Sequence, residues 1–140
     1  MSPFSHLLYE LRMRHGVRQV ELAERVGYDQ TYISALEVGL KGPPTQEFVG
    51  RLARAMSLST AEIQAVEAAV EASQRKYIID VDAPRDVYSL ASNFHTKLPT
   101  LTPTQVRLIQ GVLDLAEHQS EPWTEPPRRP RRRRNEEATM

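Results

Sequence analysis

Residues 19–38 read QVELAERVGYDQTYISALEV, and this pattern predicts two short helices joined by a tight turn. Ala23 is small, as a close helix crossing requires, and Gly27 suits a left-handed turn where a Cβ would be costly. Asp29 can cap the second helix with its carboxylate. The side chains expected to point inward are Leu22, Val26, Tyr28, Ile33 and Leu36. A chance helical hairpin would meet one or two of these requirements, so the segment is interpreted as a helix-turn-helix unit.

Three more helices are predicted around this unit. One spans residues 5–15 or so and precedes the unit, with its apolar side chains at helical spacing. A fourth helix runs from about Thr45 to Met56, and Ser59 with Glu62 forms a capping box for a fifth. We therefore expect residues 1–76 to form an all-α domain of five helices.

This domain resembles the lambda-repressor-like, or Xre-type, DNA-binding domain of bacterial and phage transcriptional regulators, over about residues 5–66. The residues that carry the resemblance are Leu11, Arg12, Val17, Arg18, Gln19, Leu22, Ala23, Gly27, Tyr32, Ile33, Ser34, Glu37, Gly39, Lys41, Pro43, Leu52 and Ala53. The resemblance implies a third helix that lies in the major groove of double-stranded DNA, usually with two copies of the protein on an inverted repeat.

Two sets of DNA contacts follow from carrying over the family's roles. The residues expected to read base edges are Gln30, Thr31, Ser34 and Ala35. Gln30 can pair with adenine through two hydrogen bonds, and a methyl group of Thr31 or Ala35 can contact a thymine methyl. The residues expected to contact phosphates are Arg18, Gln19, Tyr32 and Lys41. The alternative for each of them is an ordinary surface position on a helix or loop.

Other residues of the pattern are expected to be structural. They are Arg12, Glu37, Ala23 and Gly27. The resemblance implies an ion pair between Arg12 and Glu37, which removes Arg12 from the DNA contacts. Pro44 departs from the family pattern, so Thr45 is expected to cap the fourth helix instead, and Leu40 stands where a basic residue is common. Because these departures leave few phosphate contacts, firm binding is expected to need two copies of the DNA-binding domain acting together.

Residues 77–119 are predicted to form a helical dimerisation region. A sixth helix ends before Pro99, and a seventh begins after Thr102 and continues to about His118. Residues 77–81 either extend the fifth helix or form a brief strand.

Apolar side chains cover most of the seventh helix and leave one narrow polar stripe. Such a helix needs partners on more than one side, and a second copy of the chain can supply them. The residues expected at this homodimer interface are Val106, Ile109, Val112, Leu113 and Ala116. The alternative is that this helix is the centre of a small monomeric bundle.

Composition narrows the classes of function. The chain of 140 residues has no cysteine and four scattered histidines, so no metal site, disulfide or cofactor is expected.

The numbers of basic and acidic side chains are equal, at 18 each, but six arginines lie within Arg128–Arg134. They belong to residues 120–140, which are expected to be a disordered tail. This run has three interpretations: a DNA-binding arm, a partner for the acidic middle section, or a solvated tail. No catalytic motif and no apolar stretch of membrane-spanning length is found, so we expect a cytoplasmic, nucleoid-associated protein that is not an enzyme and has no membrane contact.

The sequence therefore favours a sequence-specific transcriptional regulator, in its simplest form a homodimeric repressor on an inverted-repeat operator. The alternative is an antitoxin-type interaction protein. Its C-terminal half would bind a protein partner, either a toxin or a co-regulator, and its DNA-binding domain would regulate its own operon. A small-molecule sensor is a further alternative, without a ligand named by the sequence.

Overall fold

The computed structural model describes residues 1–115, and this part of the chain is helical apart from its connections. The α-helices are α1 (Pro3–Arg14), α2 (Gln19–Val26), α3 (Gln30–Val38), α4 (Gln46–Ala55), α5 (Thr60–Ala72), α6 (Arg85–Lys97) and α7 (Pro103–Leu113). A short 3-10 helix, Leu98–Thr100, directly follows α6. The all-α fold class predicted from the sequence is confirmed.

The chain divides into two compact units at Tyr77 and Ile78. The first unit, Met1–Tyr77, contains α1 to α5 and is called the head below. The second unit begins at Ile78, and the part of it up to Leu115 contains α6 and α7 and is called the hairpin.

Polar side chains set the starts of α4 and α5. Thr45 accepts a hydrogen bond at its hydroxyl from the N–H of Phe48, so Thr45 caps α4 in the place that Pro44 cannot fill. Ser59 and Glu62 bond each other's backbone N–H groups, at 3.2 and 3.1 Å, which completes the predicted capping box of α5. Each such cap stabilises a helix by about 1 kcal/mol.

The core of the head is aliphatic with two phenylalanines. Helix α1 packs against α3 and α5, while α2 packs against α3 and α4. The buried apolar side chains are Phe4, Leu8, Leu11, Val17, Leu22, Ala23, Val26, Ile33, Leu36, Phe48, Leu52, Met56 and Val66. The two ends of the head meet at Ser73, whose hydroxyl accepts a hydrogen bond from the N–H of Phe4 at 2.9 Å.

Two helix ends differ from the sequence prediction. Helix α1 begins at Pro3, because the Ser2 side chain caps it and a proline is well suited to the first turn. Helix α7 ends at Leu113 and not near His118, which lies outside the described residues. Gly111 in its last turn lowers the local helix propensity, which is consistent with the earlier end.

The segment after α5 is neither of the two structures predicted for it. Helix α5 ends at Ala72, where Ser73 caps it, and residues 74–80 are irregular and exposed. A strand at 77–81 would need a partner strand, and residues 1–115 contain none.

The hairpin has a different character from the head. Neither α6 nor α7 contains a buried side chain. An apolar groove of about 590 Å³ lies between them and is lined mainly by Leu90, Phe94, Leu101, Leu108, Ile109 and Leu113.

Candidate nucleic-acid interface

The turn between α2 and α3 is built around Gly27. Its φ of 74° is left-handed, and its N–H bonds the carbonyl of Ala23 at 2.9 Å. A Cβ at Gly27 would also lie only 3.3 Å from Nη1 of Arg51. Both the backbone angle and the nearby guanidinium therefore favour glycine at this position.

Asp29 fixes the first residue of α3. Its Oδ1 accepts hydrogen bonds from the N–H and the hydroxyl of Thr31, both at 2.9 Å. Both hydrogen bonds favour the carboxylate and so hold the pKa of the Asp29 carboxyl below its usual value. The bond from the backbone N–H contributes more than the bond from the hydroxyl. Helix α3 therefore starts at a defined point, with Gln30 as its first residue.

The predicted base-reading residues lie away from the core side of α3. Ile33 on that core side is fully buried, whereas Gln30 and Thr31 are exposed and Ser34 and Ala35 are half-buried. The Gln30 side chain forms no hydrogen bond with another residue of the described range, so its amide is available for an external partner. The hydroxyl of Thr31 is taken up by the helix cap, which leaves its methyl group as the free part of that side chain.

A polar network holds α3 against α1 and α2. Glu37 is buried and accepts hydrogen bonds from Nε and Nη2 of Arg12, while Nη1 of Arg12 donates to the carbonyl of Val17 at 3.2 Å. Arg12 and Glu37 therefore meet in the ion pair that the resemblance implies. The Nε2 of Gln19 also donates to Glu37, at 2.6 Å. This third bond fixes the start of α2 relative to α3.

The Gln19 contact was missed by sequence reasoning, which assigned Gln19 only to a phosphate. One amide hydrogen of Gln19 bonds Glu37, and the rest of the amide bonds no residue within 1–115. Gln19 is half-buried at the first position of α2, where the backbone N–H groups have no helical partners. The geometry leaves Gln19 able to bond a phosphate while Glu37 orients it.

An aromatic row supports the other side of α3. The rings of Tyr28 and Tyr32 stack with centroids 5.2 Å apart, and both lie edge-on to Phe48. Burial, with a smaller contribution from Tyr28, raises the pKa of the Tyr32 hydroxyl. The ring of Tyr32 therefore has a packing role, which is separate from any contact that its hydroxyl makes.

Each end of the aromatic row is covered by a cation. The Arg51 guanidinium lies 5.5 Å from the ring of Tyr28, and Nζ of Lys41 lies 5.7 Å from the ring of Tyr32. Arg51 also donates to the carbonyl of Val26 and to a glutamate one turn earlier in α4. Sequence reasoning missed Arg51, although its spacing of four from that glutamate indicated a helix-surface pair.

The remaining predicted phosphate contacts are exposed cations. Arg18 is the N-cap residue of α2, and Lys41 follows the left-handed Gly39 that ends α3. Within residues 1–115 neither Arg18 nor Lys41 pairs with a carboxylate. Both charges are therefore available to an anion.

Four of the five predicted dimerisation residues lie on α7. Val106, Val112 and Leu113 are 49%, 65% and 72% exposed, and Ile109 is half-buried in the groove. Ala116 lies outside the described residues. These side chains form an apolar surface that the described chain does not cover.

Features of other functional classes are absent from the described range. No helix within residues 1–115 is long and apolar enough to cross a membrane. The same residues contain no group of three or more His, Asp or Glu side chains placed to hold a metal ion.

Comparison with known proteins agrees with this geometry. The family model described as helix-turn-helix matches residues 8–63, which run from α1 into α5 and include both helices of the unit. No curated protein matches the chain. The match identifies residues 8–63 as a helix-turn-helix domain and supports the resemblance of this domain to the lambda-repressor-like (Xre-type) DNA-binding domains.

Proposed function

We propose that the protein is a sequence-specific regulator of transcription that inserts α3 into the major groove of double-stranded DNA. The observation that carries this proposal is the free amide of Gln30 on a helix whose start and support are fixed. Asp29 caps that helix, and Glu37 ties it to two neighbouring helices. A side chain can discriminate between bases only if its helix holds it in register with them.

Base reading is assigned to the exposed part of α3. Gln30 can bond N6 and N7 of adenine together, a contact worth about 1–3 kcal/mol of discrimination. The methyl groups of Thr31 and Ala35 suit a thymine methyl, and the Ser34 hydroxyl can bond a base edge. Their partial or full exposure supports this assignment.

Phosphate contacts are assigned to the residues around this helix. Gln19 and Arg18 lie at the N-terminus of α2, where the helix dipole favours an anion. Lys41 and the Tyr32 hydroxyl lie on the side of the aromatic row. Such contacts position the head on the duplex without reading its sequence.

The hairpin is assigned to homodimerisation. Two helices without a single buried side chain gain too little from burial to offset the entropy of ordering them. In a dimer, the apolar surfaces of the two hairpins would cover each other, and the two heads could bind the two halves of an inverted repeat. Bound there, the protein would act as a repressor by covering a promoter. Such an activity belongs in the cytoplasm at the nucleoid.

The experiment is selection of bound duplexes from a random library by the full-length protein at near-physiological salt. The expected result is an inverted repeat with half-site centres about one helical turn, or a multiple of it, apart. Gln30→Ala should remove the preference for one base in each half-site. Gln64→Ala is the matched control, because Gln64 is exposed on α5, a helix that packs mainly against α1.

The same exposed groove supports a second candidate, a protein partner such as a toxin or a co-regulator. If the folded protein enriches no sequence and is monomeric at micromolar concentration, the proposal of a homodimer that recognises a DNA sequence is wrong. The interaction protein then becomes the better explanation of the apolar hairpin.

A further inference from the structure

Arg75 and Lys76 are two cations of the head that the proposed interface does not use. They follow α5 and lie outside the residues 8–63 that match the family model. Both side chains are exposed. Within residues 1–115 neither of them forms an ion pair.

The start of this segment is held in place by Ser73. Ser73 is buried, and its hydroxyl donates to the carbonyl of Ala69 at 2.6 Å while it accepts from the N–H of Phe4. Arg75 and Lys76 are therefore only two and three residues from a fixed point of the core.

The segment lies beside the loop that follows α3. Gln74, Arg75 and Lys76 line one cleft together with Gly42 and Pro43. Lys41, which is assigned to a phosphate above, immediately precedes Gly42. Two exposed cations that follow α5 thus share a cleft with the loop that directly follows the exposed Lys41.

The other cations of the head are distributed differently. Arg12, Arg14 and Arg51 each pair with a glutamate. Arg25 and Arg54 line a separate cleft at the C-terminal ends of α2 and α4. Arg25 lies six residues after the first residue of α2, and therefore about 9 Å along the helix axis from the N-terminal end of α2. That N-terminal end is the one assigned to DNA. The neutral charge of the head is therefore compatible with a local excess of positive charge around the cleft of Arg75.

We propose that Arg75 and Lys76, together with Lys41, form a second contact with the DNA backbone, on the phosphates that flank the groove occupied by α3. This inference rests on the proposed function. The guanidinium of Arg75 suits bidentate bonding to a phosphodiester, and the ammonium of Lys76 acts as a point charge. The contact adds affinity and salt dependence and reads no base.

The test compares two full-length double variants on the selected operator across a series of salt concentrations. Arg75→Gln with Lys76→Gln removes the proposed contact, and Arg25→Gln with Arg54→Gln removes the same charge from the other cleft. The slope of the logarithm of the association constant against the logarithm of salt is expected to fall by about 0.9 for each phosphate that is no longer neutralised, or about 1.8 for each head. The control slope should stay at the wild-type value. The bases selected should be the same for all three proteins.

Other outcomes would overturn the contact and the function separately. If the wild-type protein selects an operator but the slope of the Arg75/Lys76 variant is unchanged, the second contact is wrong and the proposed function stands. An equal fall in both double variants would mean that only net charge matters, which also overturns the contact. If the wild-type protein selects no sequence, the proposed function fails and this inference fails with it.

Discussion

The head and the hairpin are both helical, but they differ in what holds them together. The head buries thirteen apolar side chains around Leu22, Ile33 and Leu36, which are completely covered. Helices α6 and α7 of the hairpin bury none, although apolar residues line the groove between them. Helical sequence patterns are equally clear in both regions, so they do not reveal which region has a core of its own.

The head and the hairpin therefore differ in how they offset the entropy cost of folding. Ordering a residue costs about 1–2 kcal/mol in backbone entropy, which burial must offset. The head meets that cost within one chain and can hold Gln30 in register. In the proposed homodimer a second copy covers the apolar surface of the hairpin, so the stability of the hairpin should depend on protein concentration while that of the head does not.

The largest effect is expected from breaking the buried ion pair of the head. Arg12→Ala leaves the Glu37 carboxylate buried with Gln19 as its remaining partner, and removing one member of a buried pair costs about 3–5 kcal/mol. The free energy of unfolding by urea, followed by the near-ultraviolet circular dichroism of the tyrosines, measures this loss. Arg54→Ala is the control, because Arg54 is exposed and unpaired within residues 1–115, and it should change stability by less than about 0.5 kcal/mol. A loss below about 1 kcal/mol for Arg12→Ala would contradict the structural role of the pair.

The next effect belongs to the hairpin. Val112→Asp places a charge on the apolar surface of α7 and should weaken self-association at least about a hundredfold, or about 2.7 kcal/mol. Analytical ultracentrifugation over a range of concentrations measures the dissociation constant. Gln110→Asp introduces the same charge on the polar side of the same helix and should leave the dimer intact. If the dimer survives Val112→Asp, the interface lies elsewhere in the chain.

Local sequence signals predicted some features of the head and missed others. Caps and turns at Asp29, Thr45 and Gly27 were predictable, because their causes lie within four residues along the chain. The bond from Gln19 to Glu37 and the position of Arg51 over an aromatic ring depend on how helices cross, which a local pattern does not contain.

The hairpin illustrates a further limit of sequence reasoning. The start of α7 was predictable from Thr102 and Pro103, but its end was not, because the pattern of apolar residues continues past Leu113. The prediction for residues 77–81 failed for a related reason. An apolar run indicates that a segment can be buried and does not indicate that a partner for it exists.

The smallest effect is a pH dependence that should belong to the head alone. Glu62 joins α5 to α1 through His15, at 2.8 Å, and Arg14, at 3.3 Å, and it also bonds the N–H of Ser59. The hydrogen bond with His15, followed by that with Ser59, lowers the pKa of Glu62 from 4.5 to about 2. Because the folded state favours the carboxylate, its contribution is complete above pH 4.5 and is lost as the pH falls from 4.5 to about 2.

Glu62→Gln isolates this charge, since glutamine preserves the capping box at the start of α5. The melting temperature of the head should be lower in the variant than in the wild type near neutral pH, and the two values should converge as the pH falls towards the lowered pKa of about 2. Glu67→Gln, an exposed change on the same helix without an ion pair in the described range, should show no such convergence. A difference between wild type and Glu62→Gln that stays constant over this whole range would mean that the link between α1 and α5 does not depend on the carboxylate. Because the hairpin contains none of these groups, its concentration-dependent dissociation should be the same in both proteins, and a change there would contradict the independence of the two regions.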